Sequence, residues 1–252
     1  MGKINVIIFF VFLILLILLI VFFNMYNYQV EKFTNKIDKI YVINLKKNTD
    51  RLEKFIEHSR KANVAVERFD AVNGKELEKD DPYIRRCFIK EHNLNPGQIG
   101  CALSHIKIWE DAVKNNYNNI IVFEDDAVIP EDFWDKFDKV YNELPEDWDL
   151  LLLGGTNLGG RIYSDNLLVP DNRSGNWGTF AMLINVNFIK KILKELKLNT
   201  TIDDYLINNY YYNKKLKIFF VKKNLIKVDF SFNSDIGVIG SGKNNPIIIY
   251  DN

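Results

Sequence analysis

An apolar run that ends in three consecutive acids constrains the fold of this chain more than any other feature. Residues 120–123 are Ile-Ile-Val-Phe and predict a buried strand, and Glu124, Asp125 and Asp126 follow directly. Carboxylates crowded at the end of a buried strand repel one another and are costly to desolvate. A divalent cation would relieve that cost, and oxygen ligands suit Mg²⁺ or Mn²⁺. Since open α/β sheets bind ligands at the carboxyl ends of their strands, the triplet predicts a metal and phosphate site; a solvated turn is the alternative.

The pattern on both sides of the triplet predicts alternating strands and helices. Residues 39–44 and 64–69 read as strands joined by a helix that starts near Asp50 and Glu53 in a capping-box-like pattern. Such a unit implies parallel strands with a right-handed crossover. We further predict strands at 149–154, 179–184 and 216–221, helices at 97–113, 187–196 and 202–212, and irregular structure at 74–95. The fold class is therefore α/β, a Rossmann-type mixed sheet flanked by helices.

The N-terminus predicts a transmembrane helix ahead of this fold. Residues 6–23 are uninterruptedly apolar, and about 20 such residues span a hydrocarbon core of about 30 Å. No small-residue cleavage site follows, which favours an uncleaved anchor over a signal peptide. Lys3 and the α-amino group favour a cytoplasmic N-terminus, and hence a single-pass type II membrane protein. We assign residues 1–28 to the anchor, 29–36 to a linker and 37–252 to the folded domain.

Charge and cysteine content exclude several classes of protein. The 33 Lys and Arg residues balance the 33 Asp and Glu residues, so no net charge favours nucleic acid as a partner. Two cysteines, Cys87 and Cys101, do not make a disulfide framework or a zinc site, although they could pair with each other if the domain is lumenal. Cys101 lies in an amphipathic helical pattern and is predicted to be a buried free thiol.

Several segments, taken in order, resemble glycosyltransferase family 25, which contains lipooligosaccharide galactosyltransferases and procollagen galactosyltransferase-like proteins. The matching segments are Ile40–Leu45 with Asp50-Arg51, Gly97–His105, Val122–Ala127, Trp148–Gly154 and Gly178–Ala181, followed by two acidic positions at Asp203-Asp204 and Ser234–Ile236. Each is weak alone, but their common order across nearly the whole non-membrane chain makes coincidence implausible.

The resemblance implies a GT-A-like fold and a metal-assisted, inverting transfer of a hexose. The donor would be a UDP-sugar carrying galactose or glucose, and the acceptor a hydroxyl group of a glycan or protein. Asp126 would hold Mn²⁺ (or Mg²⁺), and Glu124 would face the donor ribose or the metal. No histidine follows His105, so the late histidine ligand of many such enzymes is missing, and Asp235 is expected to serve instead.

An inverting displacement also needs a base beside the acceptor hydroxyl, normally a carboxylate. By the resemblance, Asp203 or Asp204 is the expected base. Asp203 at the start of a helix could alternatively act only as a cap.

The remaining predicted site residues belong to the donor and acceptor. Asn44, Leu45 and Arg51 are expected at the nucleotide from the first strand-to-helix turn, with a strand-end hydrogen bond and a surface charge as alternatives for Asn44 and Arg51. Ser104, His105 and Asp125 are also expected at the donor, although His105 could only satisfy a core polar contact. Trp177 and Gly178 are expected at the acceptor or in aromatic packing beneath a strand.

Two other functions fit parts of the pattern. A catalytically inactive, membrane-tethered module that binds a sugar or nucleotide would keep the fold but lose acids, whereas this chain retains six acids at the expected positions: Glu124, Asp125, Asp126, Asp203, Asp204 and Asp235. A nucleotidyltransferase or phosphotransferase would need a phosphate-binding glycine loop. The segment Gly154–Gly160 has neither the P-loop lysine nor the GxGxxG spacing.

Overall fold

The computed structural model describes residues 8–22, 36–78, 81–156, 158–171, 178–207, 216–232 and 235–236. The chain divides into two units, residues 1–38 and 39–252. In the first unit, residues 8–22 form helix α1, and its apolar side chains are exposed. None of the helices in the ranges given above combines the length and hydropathy needed to cross a membrane. Residues 1–7 and 23–35 of the predicted anchor and linker lie outside the described residues, so the anchor stays a prediction.

Within the described part of the second unit, eight strands form one mixed sheet in the order β2-β1-β3-β8-β5-β9-β7-β6. These strands are β1 (Lys39–Asn44), β2 (Glu67–Asp70), β3 (Asn119–Glu124), β5 (Leu150–Leu152), β6 (Gly160–Ile162), β7 (Leu167–Pro170), β8 (Ala181–Asn185) and β9 (Ile218–Val221). A separate antiparallel ribbon joins β4 (Ala127–Val128) to β10 (Lys227–Val228). The predicted mixed α/β sheet is confirmed.

Helices and one 3₁₀ turn connect the strands. They are α2 (Thr49–Lys61), the 3₁₀ turn Gly74–Glu76, α3 (Pro82–Cys87), α4 (Pro96–Lys114), α5 (Phe133–Asn142), α6 (Val186–Glu195) and α7 (Ile202–Asp204). Helix α4 packs against α6 and α7 and buries Ile106 and Trp109 completely in the largest core cluster. The mostly apolar face of α4 therefore fixes the polar residues on the same helix against the sheet.

Strand direction determines where polar side chains gather. Strands β2 and β3 both run parallel to β1, as the predicted β–α–β unit requires, so the carboxyl ends of all three lie at one edge. Strand β8 runs antiparallel to β3, which places the residues just before β8 at that same edge. The backbone N–H of Glu124 donates to the carbonyl of Phe180 at 2.9 Å and closes this junction.

The structure corrects the predicted start of α2. The helix begins at Thr49, and its N-cap is Asn48, whose side chain makes no capping hydrogen bond. Asn48 instead donates to Asp235 at 2.5 Å, so a long-range contact replaces the expected local cap at Asp50. The capping box lies on α4, where the side chain of Asn95 accepts from the backbone N–H of Gln98 at 2.9 Å and the side chain of Gln98 accepts from that of Asn95 at 3.0 Å.

Other boundaries also differ from the sequence prediction. Strand β2 starts at Glu67 rather than at residue 64. A short helix, α3, interrupts the stretch predicted as irregular, because Pro82 occupies the first helical turn and Asp81 accepts from the backbone N–H of Tyr83 at 2.6 Å. Helix α7 is brief and continues as a π-type turn over residues 205–207, and the rest of the predicted helix lies outside the described residues.

Candidate functional site

A cleft lies at the shared carboxyl end of β1, β2 and β3. Its lining comes from the loops after these strands, from one face of α4 and from residues 235–236. The lining residues are Ile43, Leu45, Lys47, Asn48, Arg51, Ala71–Lys75, Gly97, Cys101, Ser104, His105, Glu124–Asp126, Asp235 and Ile236. The structure therefore brings together most of the residues that the sequence predicted for the donor and metal sites.

Glu124 stands at the end of β3 between a helix and a neighbouring strand. Its Oε1 atom lies 3.3 Å from Nε2 of His105 and accepts a hydrogen bond from the hydroxyl of Thr179 at 2.8 Å. Burial alone would raise the pKa of Glu124, but the His105 and Thr179 contacts outweigh it and the pKa is lowered. These contacts therefore favour the ionised form of Glu124.

Asp125 is the most buried of the three acids, with 7% of its surface exposed. It pairs with the guanidinium of Arg51 and accepts a hydrogen bond from the side-chain amide of Asn44 at 2.7 Å. Burial nevertheless raises the pKa of Asp125, with Arg51 opposing the shift. These contacts fix the turn after β3, and they hold Arg51 next to the cleft.

Asp126 faces the cleft with one oxygen paired and the other without a hydrogen-bond partner. Its Oδ2 atom lies 3.1 Å from Nη2 of Arg51, whereas the buried Oδ1 atom has no hydrogen-bond partner within the part of the chain that the structure describes. Burial, with the negative charge of Glu124, raises the pKa of Asp126 to about 7. An unsatisfied buried carboxylate oxygen beside a second carboxylate suits a hard divalent cation.

Asp235 reaches the same place from the end of the described chain. It accepts from Lys47 at 2.8 Å, and its Oδ2 atom lies 3.9 Å from Nη1 of Arg51. Burial would raise the pKa of Asp235, but its contacts with Lys47 and Asn48 lower it. A Cβ atom at Gly97 would lie 2.6 Å from the carbonyl oxygen of Asp235, so glycine is needed for this close approach.

Asn44 and Ser104 hold the loops that form the cleft. Asn44 is buried beneath the cleft, donates to the carbonyl of Asn48 at 2.9 Å and accepts from Nε of Arg68 at 3.0 Å. Ser104 donates to the carbonyl of Gly100 at 2.7 Å and accepts from the backbone N–H of Val72 at 2.9 Å. The strand-end hydrogen bond considered for Asn44 is therefore present, while Leu45 and Ser104 contribute directly to the lining.

His105 and Cys101 lie one helical turn apart on α4, facing β3. His105 is completely buried, and its Nδ1 atom has no hydrogen-bond partner within the described ranges. Both Cys101 and Cys87 are free thiols. The free thiol predicted at Cys101 is confirmed, but the residue is partly exposed because it lines the cleft. Burial raises the pKa of the Cys101 thiol well above its usual value, and the charges of Glu124 and Asp203 add to the shift.

The two candidate bases lie beside the cleft and differ in their surroundings. Asp203 and Asp204 belong to α7, which packs against α4, and neither is part of the lining given above. The charge of Asp203 reaches the Cys101 thiol, whereas Asp204 accepts from the hydroxyl of Thr200 at 3.3 Å. The charge of Asp203 thus affects the Cys101 thiol in the wall of the cleft, and the Oδ1 atom of Asp203 accepts from the backbone N–H of Asp204 at 3.0 Å.

Of the predicted acceptor residues, Gly178 can be placed and Trp177 lies outside the described residues. Gly178 has a φ of +122°, a conformation that side-chain-bearing residues rarely adopt. A Cβ atom there would also lie 2.9 Å from the ring of Phe180. Gly178 thus serves the turn that brings Thr179 to Glu124.

Sequence reasoning missed several residues of the cleft. Lys47, Asn48, Asn73 and Lys75 line it from the loops after β1 and β2, and their positions just after predicted parallel strands were the available signal. Thr179 carried a signal as well, because it lies inside the matching segment Gly178–Ala181. The contact between Thr179 and Glu124 spans 55 residues of sequence and requires the antiparallel placement of β8.

Comparison with known proteins agrees with this arrangement. The profile of the family described as Glycosyltransferase family 25 (LPS biosynthesis protein) matches residues 37–207. A "Glycosyltransferase 25 family member" of Anopheles gambiae is 30% identical over 202 residues, which cover 70% of this chain and 32% of that protein. Human "Procollagen galactosyltransferase 2" is 28% identical over 144 residues, which cover 50% of this chain and 22% of that protein.

The chain is also similar to a relative named as inactive and to a solved glycosyltransferase. Human "Inactive glycosyltransferase 25 family member 3" is 28% identical over 134 residues, covering 46% of this chain and 22% of that protein. A solved glycosyltransferase "involved in the glycosylation of the major capsid of PBCV-1" has 10% identity and a TM-score of 0.42, covering 72% of this chain and 79% of that one. The alignments with the mosquito and human relatives span about a third or less of those proteins.

Proposed function

The chain belongs to glycosyltransferase family 25, and on this premise we propose that it transfers a hexose, galactose or glucose, from a UDP-sugar to a hydroxyl group of a glycan or protein. The observation that carries the proposal is the cleft at the carboxyl ends of β1, β2 and β3, where Glu124, Asp126 and Asp235 converge. This is the position at which α/β sheets bind nucleotides. We accordingly propose that the mixed sheet is of the GT-A type.

Positive charge on the loops suits the diphosphate of the donor. Lys47 and Lys75 line the cleft from the loops after β1 and β2, and Arg51 lies between the acids. Cationic side chains form charge-assisted hydrogen bonds with phosphate oxygens. We propose that Leu45, Arg51 and Ser104 line the nucleotide pocket, while Asn44 and Asp125 hold its loops and His105 positions Glu124.

The carboxylates fit a hard divalent cation. Asp126 offers a buried oxygen with no hydrogen-bond partner among the described residues, and Asp126, Glu124 and Asp235 would together hold Mn²⁺ or Mg²⁺. Such a cation neutralises charge that develops on the departing diphosphate. Since Asp126 has a pKa of about 7, loading the site near neutral pH would release a proton from part of the population.

The chain itself would supply the base for the acceptor. In an inverting displacement the acceptor oxygen attacks the anomeric carbon, its proton passes to a carboxylate, and the bond to the diphosphate breaks. We favour Asp203 as the base, because its charge contributes to the raised pKa of the Cys101 thiol, which lines the cleft. Gly178 and Trp177 are proposed at the acceptor side.

The apolar run at residues 6–23 supports a membrane-tethered enzyme. We propose a single-pass, type II arrangement in which the N-terminus is cytoplasmic and the catalytic domain lies across the membrane. The support is the sequence alone: the length of the run and the basic residue before it.

A non-catalytic module that binds a sugar or nucleotide is the second candidate. It is favoured by the similarity to relatives named as inactive. Retention of Glu124, Asp126 and Asp203 in their observed positions favours the enzyme instead.

A donor screen separates the two candidates. The full chain is incubated with UDP-galactose, UDP-glucose or UDP-N-acetylglucosamine and Mn²⁺, and release of UDP is followed with and without simple sugar acceptors. We expect metal-dependent UDP release from at least one donor. UDP binding without release from any donor would favour the binding module, and the absence of both would contradict the proposed function.

A matched pair of variants makes the screen specific. Asp126→Asn removes a charge from the cleft, whereas Asp165→Asn removes one from an exposed loop between β6 and β7. The first should abolish release and the second should leave it at the wild-type rate. Equal rates in the two variants would mean that Asp126 has no part in the reaction.

A further inference from the structure

Three side chains of different chemistry converge at the floor of the cleft. Cys101 and His105 are four residues apart on α4 and therefore share one helix face, and Glu124 faces them from the end of β3. Their ligand atoms all lie within 4.8 Å of one another. The donor set of one sulfur, one nitrogen and one oxygen differs from the oxygen-only set proposed for Mn²⁺.

The spacing is close to that of a tetrahedral metal site. Zinc bonds of about 2.3 Å to sulfur and 2.0 Å to nitrogen place such ligand atoms about 3.5 Å apart. His105 Nε2 and Glu124 Oε1 are already 3.3 Å apart. The Cys101 sulfur lies within 4.8 Å of both atoms, so it needs to approach by at most about 1.3 Å, which is within the range of a side-chain torsion change.

The surroundings leave His105 available to a ligand. His105 is completely buried. Its Nδ1 atom has no hydrogen-bond partner within the described residues, and its Nε2 atom contacts Glu124. Thr179 donates at 2.8 Å to the same Oε1 atom of Glu124 that faces His105, and so fixes the orientation of the carboxylate. All three candidate ligands also line the cleft, which leaves a fourth coordination position open to it.

We propose that Cys101, His105 and Glu124 form a site for a thiophilic divalent cation such as Zn²⁺, which shares Glu124 with the oxygen-ligand site that also uses Asp126 and Asp235. A sulfur–nitrogen–oxygen set selects zinc or cobalt over magnesium or manganese. Three protein ligands and one open position are also the arrangement of zinc sites that remain accessible to a further ligand. Counting cysteines in the sequence did not indicate this site, because it needs only one of them.

The two sites share Glu124, so they compete. A zinc ion that engages this carboxylate withdraws it from the donor side of the cleft, and Zn²⁺ should therefore inhibit transfer that Mn²⁺ supports. This consequence rests on the proposed function, whereas binding of the thiophilic ion does not.

Cobalt provides a direct test, because Co²⁺ substitutes for Zn²⁺ and absorbs visibly when it binds thiolate. The full-length protein, freed of metal, is titrated with Co²⁺ alone, in the absence of donor. We expect one equivalent to produce a thiolate-to-cobalt charge-transfer band that Zn²⁺ abolishes. No such band in the wild-type protein would overturn the proposal.

Variants identify the ligands. The band should disappear in Cys101→Ser and persist in Cys87→Ser, since Cys87 is buried elsewhere. His105→Gln should weaken Co²⁺ binding at least about tenfold, the lower end of the cost of disturbing a metal's ligand shell. A band that survives Cys101→Ser, or one that is lost equally in Cys87→Ser, would contradict the assignment.

Two controls keep the result independent of folding and of transferase activity. Far-ultraviolet circular dichroism identifies variants that fail to fold. If Cys101→Ser is among them, Cys101 is instead alkylated in the Cys87→Ser protein, and the cobalt band should again be lost. Asp126→Asn should keep the cobalt band, because Asp126 belongs to the other site. A chain that binds Co²⁺ in this way but transfers no sugar would refute the proposed function and leave this site standing.

Discussion

The guanidinium of Arg51 lies 3.1 Å from the Oδ2 atom of Asp126. The same guanidinium pairs with Asp125 and lies 3.9 Å from Asp235. One cation thus bridges Asp125 and two of the proposed metal ligands, Asp126 and Asp235, and it compensates the charge of these acids when no metal is bound. Sequence position alone had suggested only a nucleotide contact or a surface charge for Arg51.

Replacing this internal cation should destabilise the metal-free protein. Arg51→Gln leaves three carboxylates close together without their counter-charge, so their mutual repulsion is no longer offset. We expect a lower melting temperature than wild type without metal, and a larger rise when Mn²⁺ is added. Arg60→Gln, on the exposed side of the same helix, is the control and should melt like wild type. An Arg51→Gln protein with an unchanged melting temperature would show that the bridge is not needed.

The pKa of Asp126 predicts a specific dependence of stability on pH. A carboxyl with a pKa of about 7 in the folded protein and near 3.8 in the unfolded chain keeps its proton up to a higher pH in the folded protein. Its contribution to stability is therefore fully present below about pH 4 and is lost as the pH rises to about 7. In Asp126→Asn this loss is absent, so the variant should gain stability over wild type between these limits.

Urea unfolding of both proteins at pH 5 and pH 8, without metal, measures this difference. Glu124, whose pKa is lowered, is ionised in the folded protein at both pH values, so its own titration does not produce the expected difference. We expect the advantage of Asp126→Asn to be larger at pH 8, together with loss of transfer. A constant difference at the two pH values would mean that Asp126 titrates normally.

The two adjacent acids of α7 should differ in their effect on turnover. Asn can accept the local hydrogen bonds of either position but cannot take up the acceptor's proton. We expect Asp203→Asn to lower kcat by about 10²-fold or more, the usual scale for loss of a general base, with little change in donor KM. Asp204→Asn should stay within a few-fold of wild type, since its carboxylate is occupied by Thr200.

The reverse result would assign the base to Asp204. If neither substitution affects turnover, Asp235 becomes the next carboxylate to test. Steady-state kinetics with saturating donor and varied acceptor distinguish these cases.

The apolar N-terminal run should anchor the full-length chain. Its length is sufficient to span a bilayer, and the sequence after it offers no typical cleavage site. We expect the intact chain to stay in the membrane pellet after alkaline carbonate extraction, and a variant that starts at residue 29 to be released. Recovery of the intact chain in the supernatant would contradict the anchor.

Local patterns predicted most of the fold. Strand β1 was predicted with its observed bounds, and the helix after Pro96 was identified from its apolar spacing, which is a local signal. Predictions failed where a distant partner decided the outcome. Asn48 replaces the expected cap of α2 because its side chain binds Asp235, 187 residues away.

The sequence by itself determined the class of fold, the acid triplet at a strand end and the family, since these depend on periodicity and on motifs contiguous in the chain. Only the tertiary structure decided how the acids differ. Glu124 meets His105 and Thr179, Asp125 meets Asn44 and Arg51, and Asp126 retains an oxygen without a hydrogen-bond partner among the described residues. The sequence alone gives no basis for distinguishing the surroundings of three adjacent acids. Their pKa values diverge because burial and nearby charge are properties of the packed sheet and helices, which bring together residues far apart in sequence.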